Sequence, residues 1–398
     1  MFDFPEPMLP NGKKDAILNN GTVKKFTNLF GPVIVHKYFR VFLFSLSIYI
    51  FLLSIKVMGA GFKGMGSDFS EGLLGTVDNP LAALFVGILA TSIVQSSSST
   101  TSITVALVGS ETLPIETAIP IVIGANIGTS VTNTIVSLGH IRRSAQFERA
   151  LSAAVVHDIF NMMAASLLFP VELITKHFFG TGLIQHIASI LSKNFYGSAG
   201  TKLSKPLDFI LKPPTELIMD IIPAWLAIVL SLGFLFVALK IITDSMQLLM
   251  DAKIQRILDK YLFKTAYTAF IFGMILTAIV QSSSVTTSIM VPMVGGGILS
   301  IEQIFPYTLG ANVGTTITSI LAALAAGNED ALTVAFAHLV FNILGIATIY
   351  PFKRIPISLA KRMGAFVVHH KNFAIAYIIL TFYVLPAIVV FVPRLLGW

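Results

Sequence analysis

The polar side chains best suited to chemistry in this chain occur twice. Residues 91–102 read TSIVQSSSSTTS and residues 277–288 read TAIVQSSSVTTS, ten identities in twelve positions at an offset of 186. Each copy sets a glutamine before a run of hydroxyls. The first holds Gln95, Ser96, Ser97, Ser98, Ser99, Thr100 and Thr101; the second holds Gln281, Ser282, Ser283, Ser284, Thr286 and Thr287. Hydroxyl donors suit the oxygens of a tetrahedral anion, while hydroxyl, amide and carbonyl oxygens are hard ligands suited to Na⁺. A helix beginning at each serine run would add free N–H groups and a positive dipole end, a ready anion site. Neither copy contains Lys or Arg. A dianion held there would rely on helix ends, hydroxyls and co-bound cations, so that each ion strengthens the other's binding.

The same offset aligns Gly124-Ala125-Asn126-Ile127-Gly128-Thr129-Ser130 with Gly310-Ala311-Asn312-Val313-Gly314-Thr315-Thr316, and Gly87 with Gly273. Asn126 and Asn312 supply further oxygens. The glycines permit either tight packing against the hydroxyl segments or local unwinding that exposes Asn and Thr. After a five-residue length change, His157-Asp158-Ile159-Phe160-Asn161 matches His338-Leu339-Val340-Phe341-Asn342. A carboxylate such as Asp158 in an apolar helix costs at least about 2.5 kcal/mol and marks an ion pathway by default, with a buried ion pair or a protonated acid as the alternative. Asn161, one turn on, can share a cation site with it. Leu339 stands at the matching place in the second copy, so that site is asymmetric. His157 and His338 read as hydrogen-bond donors in helix packing.

What must position these groups is a membrane-embedded helical scaffold. Of 398 residues, 55% are hydrophobic and only 12% charged, where soluble domains carry about 25% charge. The solvent is lipid. The chain has no cysteine, which excludes disulfides, thiolate metal sites and a catalytic thiol. Sodium is the only metal expected; no transition metal and no organic cofactor are called for. The net charge of +7 sits in clusters between apolar stretches, the positive-inside pattern, rather than marking a nucleic-acid binder. Asp3 and Glu6 open a segment unlike a cleaved signal peptide.

Stretches free of Asp, Glu, Lys and Arg at 41–55, 117–141, 221–239, 303–328, 331–352 and 372–393 read as spans, as does 150–171 apart from Asp158. Two others, 79–110 and 265–301, hold 32 and 37 residues. They would run about 48 and 56 Å as single helices, too long for one crossing and too short for two. The serine runs fall at their middles, so each reads as a re-entrant hairpin with its polar turn near mid-membrane. Such backbone survives only where protein or a wet cavity surrounds it. A lone serine pair would read as helix packing; the centred duplication reverses that reading.

Charge placement agrees. With the N-terminus cytoplasmic, hairpins that return to their own side put Arg142, Arg143, Arg149, Lys253, Arg256, Lys260, Lys353 and Arg354 inside. The five lysines between Glu172 and Asp220 lie outside, in a segment long enough to obey the rule weakly. The chain then divides as follows: cytoplasmic segment 1–37; first span and outer loop 38–78; first repeat 79–171, with hairpin 79–110 and spans 117–141 and 150–171; extracytoplasmic loop 172–220; linking span and cytoplasmic loop 221–264; second repeat 265–352, with hairpin 265–301 and spans 303–328 and 331–352; and basic loop with final span 353–398. Three crossings separate the hairpins, so the repeats are inverted. The expected fold is all-α, two inverted repeats each with a re-entrant hairpin and broken transmembrane helices, the site lying between them.

Two Gln-Ser-Ser-Ser copies, each followed by Gly-Ala-Asn-x-Gly-Thr, with His157-Asp158-Ile159-Phe160-Asn161 after the first, resemble the type II sodium–phosphate cotransporters over roughly residues 40–390. The resemblance implies Na⁺-driven phosphate uptake by alternating access, in homodimers whose protomers work independently. It assigns Ser96, Ser97, Ser98, Ser99, Thr100, Ser282, Ser283, Ser284 and Thr286 to phosphate. To sodium it assigns Gln95, Gln281, Thr101, Thr287, Asn126, Thr129, Ser130, Asn312, Thr315, Thr316, Asp158 and Asn161. Asp158 matches the aspartate of electrogenic members, whose electroneutral relatives carry glycine. Ser152 departs from the usual alanine, and His140 and Arg143 stand where vertebrate members carry glutamine and an acid, so one sodium site is assembled differently. The cysteine-free outer segment and short termini imply a bacterial inner-membrane member. Chemistry alone leaves open another oxyanion, proton coupling, a channel, or an intramembrane hydrolase using a serine with His157 and Asp158. Against the hydrolase, no Gly-x-Ser-x-Gly elbow is present.

Overall fold

The computed structural model describes residues 37–65, 77, 79–196, 201–249 and 265–395. The protein is an all-α integral membrane protein. Six of the described helices are long and apolar enough to cross a bilayer. The expectations for 1–36, most of the first outer loop and 250–264 lie outside the described residues.

Helix α1 (Lys37–Gly64) precedes the first repeat. That repeat folds as α2 (Pro80–Val94), α3 (Ser97–Gly109), α4 (Ile115–Thr129), α5 (Val131–Ser137) and α6 (Ser144–Phe179). Then come α7 (Leu183–Phe195), α8 (Thr201–Ile221) and α9 (Ala224–Leu249). The second repeat gives α10 (Ala266–Val280), α11 (Ser283–Gly295), α12 (Ile301–Gly314), α13 (Thr316–Ala326) and α14 (Glu329–Ile349). The chain ends with α15 (Arg354–His369), α16 (Lys371–Ile379) and α17 (Leu385–Leu395), the last two joined by a π-turn at Leu380–Val384. The repeats therefore match helix for helix.

Each hairpin is cut by one residue. Gln95 (φ 56°) and Gln281 (φ 58°) adopt the left-handed conformation, which costs a non-glycine residue about 1–3 kcal/mol and persists where the surroundings hold it. The strain ends one helix and lets the next begin. Ser96 and Ser282 cap α3 and α11, their hydroxyls accepting from the N–H groups of Ser99 and Val285. The arms of 15 and 13 residues run about 22 and 20 Å, short of a 30 Å core.

Glycines seat the first arm of each hairpin on the helix that follows the hairpin. A Cβ on Gly124 would meet the Leu84 carbonyl oxygen, and one on Gly87 the Ile121 carbonyl oxygen. Gly310 and Gly273 repeat this against Phe270 and Tyr307. Of the two uses foreseen for these glycines, close packing is the one realised. The helix interruptions are mild: a single residue, Ser130 or Thr315, tightens the turn between α4 and α5 and between α12 and α13.

Boundaries differ from expectation in two places. Residues 172–220 are not a loop: α6 continues past Glu172 to Phe179, and α7 and α8 follow. The reason is local. Glu172 is buried, and its carboxylate accepts from the N–H groups of Ile184 (2.6 Å) and Gln185 (3.2 Å), capping α7. A charge that looked like a span's end is the start signal of another helix. Glu172→Ala is expected to cost about 1–2 kcal/mol and to speed amide exchange at 183–186. Likewise the basic loop after 353 is mostly helix α15, which lies on α6 with Gly364 against Ser152 and the Glu148 carbonyl.

Candidate ion site at the two hairpin tips

The two tips meet. The Ser98 hydroxyl donates to the Gln281 carbonyl (3.2 Å) and lies 3.2 Å from Thr315 Oγ1. Within each hairpin a threonine pair ties the arms: Thr91 to Thr100 (2.9 Å) and Thr277 to Thr286 (2.8 Å). Ser97, Ser98, Ser99, Thr100 and Thr101 are buried, as are Ser283, Ser284, Thr286 and Thr287. Ser96 and Ser282, the caps, are half-buried. The α3 and α11 N-termini, with their free N–H groups, therefore converge on one protein-enclosed place.

Two polar chains run outward from the tips, each crossing between repeats. In one, Thr287 lies 3.0 Å from Asn133 Oδ1, and Asn133 Nδ2 donates to His157 Nδ1 (3.2 Å). His157 Nε2 donates to Asn312 Oδ1 (2.8 Å), whose Nδ2 donates to Asn161 Oδ1 (2.8 Å). Asn161 closes the chain on the Asn126 carbonyl (2.8 Å). In the other, Thr101, Ser319 and His338 are linked at 3.1 Å each, and His338 Nε2 donates to Asn126 Oδ1 (3.2 Å). The 186 offset maps Asn133 onto Ser319, and Asn312 onto Asn126. Both histidines thus bridge the repeats, and among the described residues neither ring bonds Asp158.

Asp158 forms a separate centre. It is fully buried; its Oδ2 accepts from Thr134 (3.0 Å) and from Tyr377 of α16 (3.1 Å), with Ser130 alongside. Its Oδ1 is buried with no partner among the described residues. A carboxylate oxygen is a hard ligand by type. Asn161, foreseen as sharing a cation site with Asp158, hydrogen-bonds to the Asn126 carbonyl and to Asn312. Thr129 bonds a carbonyl of its own helix, Ala125, while Ser130 and Thr316 bond back to Ile127 and Val313 at the ends of α4 and α12. Gln95 is exposed, whereas Gln281 is buried, its Oε1 without a partner among the described residues.

Sequence reasoning passed over Thr91, Thr277, Asn133, Ser319, Thr134 and Tyr377. The two threonines were readable, as identities inside the twelve-residue repeat. Asn133 and Ser319 share the offset but not the residue type. Thr134 and Tyr377 have no counterpart in the duplication.

The chain is thus a multi-pass membrane protein whose paired hairpin tips bring buried hydroxyls and two helix N-termini together. The chain belongs to the Na⁺/Pi-cotransporter family, whose model matches residues 50–192 and 225–381. Sodium-dependent phosphate transport protein 2A of Ovis aries is 34% identical over 403 residues, covering 81% of this chain and 62% of its own length. Sodium-dependent phosphate transport protein 2B of Homo sapiens is 32% identical over 420 residues, covering 81% and 60%. The chain thus spans about three-fifths of these relatives. No solved structure matches.

Proposed function

We propose that the chain couples Na⁺ entry to uptake of inorganic phosphate by alternating access of two inverted repeats, with net charge movement. The observation that carries this reading is the contact between the two hairpin tips, Ser98 on the Gln281 carbonyl. It brings two helix N-termini and two hydroxyl runs to one place, where a tetrahedral anion can receive donors from both repeats. Carbonyls at the strained Gln95 and Gln281, together with the Asp158 Oδ1, are hard-oxygen ligands for sodium. The family membership and the relatives' names support sodium and phosphate as the ions. The reading includes a homodimer in a bacterial inner membrane with the N-terminus cytoplasmic.

Uptake of labelled phosphate into proteoliposomes tests it. Uptake should stop when choline or K⁺ replaces Na⁺; unchanged uptake removes sodium coupling, and equal competition by sulfate removes phosphate selectivity. The Ser97 and Ser283 hydroxyls are buried and make no hydrogen bond among the described residues, which leaves them for a ligand. Each contact to a charged group contributes about 1.5–3 kcal/mol, so Ser97→Ala and Ser283→Ala should each weaken phosphate affinity roughly 10- to 100-fold. An effect confined to one serine would contradict a site shared by both repeats.

A further inference from the structure

The two halves of the centre match in sequence but not in bonding, and the mismatches fall at paired positions. Ser98 bonds the Gln281 carbonyl and Thr315, while its counterpart Ser284 makes no such bond to Gln95 or Thr129 among the described residues. Thr129 instead bonds its own helix at Ala125. Asn312 Nδ2 bonds Asn161 Oδ1, while its counterpart Asn126 Nδ2 bonds Val122 of its own helix. The partner that Asn126 would have by symmetry is Asn342, whose Oδ1 is buried with no acceptor role among the described residues. Exposure divides in the same sense: Gln95 is open and Gln281 covered.

We propose that these pairs form a two-position polar lock whose bonds exchange between halves when the carrier changes the side it faces. In the present state the lock is made by Ser98 with Gln281 and Thr315, and by Asn312 with Asn161. In the opposite state Ser284 bonds the Gln95 carbonyl and Thr129, and Asn126 bonds Asn342, covering Gln95 and uncovering Gln281. The physical reason is the cost of leaving a buried polar atom without a partner, about 1–3 kcal/mol each. In the present state the unmade half leaves Asn342 Oδ1 without a partner among the described residues; the exchange gives it one and releases Asn161 Oδ1, so the two states are balanced and both are reachable. The exchange rests on the inverted-repeat carrier reading above.

Because the chain has no cysteine, introduced pairs report without background. Ser98→Cys with Thr315→Cys, whose hydroxyls lie 3.2 Å apart, should cross-link under oxidant, and so should Ser284→Cys with Thr129→Cys. A membrane-impermeant thiol reagent at Gln95→Cys or Gln281→Cys, in otherwise cysteine-free protein, should reach the two positions from opposite sides. Each cross-link should abolish phosphate uptake, with recovery on reduction. Absence of the second cross-link in protein whose uptake is intact overturns the exchange, as does labelling of both glutamine positions from one side. Cross-linking and labelling need no substrate, so a failure of the phosphate reading, seen as no uptake by the unmodified chain, is read separately from a failure of the lock.

Discussion

Asp158→Gly protein is expected to import phosphate with sodium while moving no net charge. The argument starts from burial. Asp158 has no solvent exposure, and Thr134 and Tyr377 stabilise one carboxylate oxygen while the other has no partner among the described residues. A carboxylate so placed is costly unless a cation joins it. Its removal deletes both the negative charge and the oxygen that would hold the cation, and leaves the hairpin tips untouched. One elementary charge moved through 100 mV is worth about 2.3 kcal/mol, or roughly 50-fold in the gradient the carrier can sustain. The variant should lose that leverage: phosphate accumulation driven by sodium alone persists, and the response to a clamped potential flattens. Current and labelled phosphate measured together in proteoliposomes decide the point. Undiminished charge per phosphate would remove Asp158 from the coupling pathway.

The fold's outline was legible because lipid allows so few solutions. A charge-free stretch of 37 residues at 265–301 is neither one helix nor two spans, and the buried polar turn at its middle leaves a hairpin as the economical answer. Duplication did the rest, since a pattern present twice at one offset marks what both copies must keep. Legibility failed where a residue's job depends on a distant element. Glu172 looked like the end of a span because its partners, the N–H groups of Ile184 and Gln185, are backbone and leave no mark in the sequence. Tyr377 reaches Asp158 from 219 positions away, on a helix that the repeat does not contain. Asn161 sits one turn from Asp158, yet its amide bonds the Asn126 carbonyl and, across the repeats, Asn312, so that both of its polar atoms are satisfied. Helical spacing can place two residues on a face; it cannot say which neighbour each will choose.

The glycines make the strongest structural prediction. Gly124→Ala should destabilise the protein and disable transport, whereas Gly233→Ala should do neither. Both glycines lie inside helices, where alanine is favoured over glycine by roughly 0.5–1 kcal/mol. At Gly233 nothing lies within 4 Å of an added Cβ, so that preference acts alone and the protein gains slightly. At Gly124 the added atom overlaps the Leu84 carbonyl oxygen and its carbon. No rotamer relieves this, because a Cβ is fixed by the backbone and the obstacle is backbone too. The arm α2 must move off α4, opening the reciprocal contact at Gly87 against Ile121. Overpacking costs typically about 1–3 kcal/mol even where side chains can yield; here they cannot. In lipid no hydrophobic force restores the contact, since close backbone approach between small residues is itself what holds such helices together. A shift of α2 carries Gln95 and the tip away from Gln281, so the anion site is lost before the fold is. Thermal unfolding of purified protein in detergent, beside phosphate uptake, separates the two substitutions by sign. Equal melting and equal uptake for both would mean that the hairpin is not held by its backbone contacts, and that the tip geometry is set elsewhere.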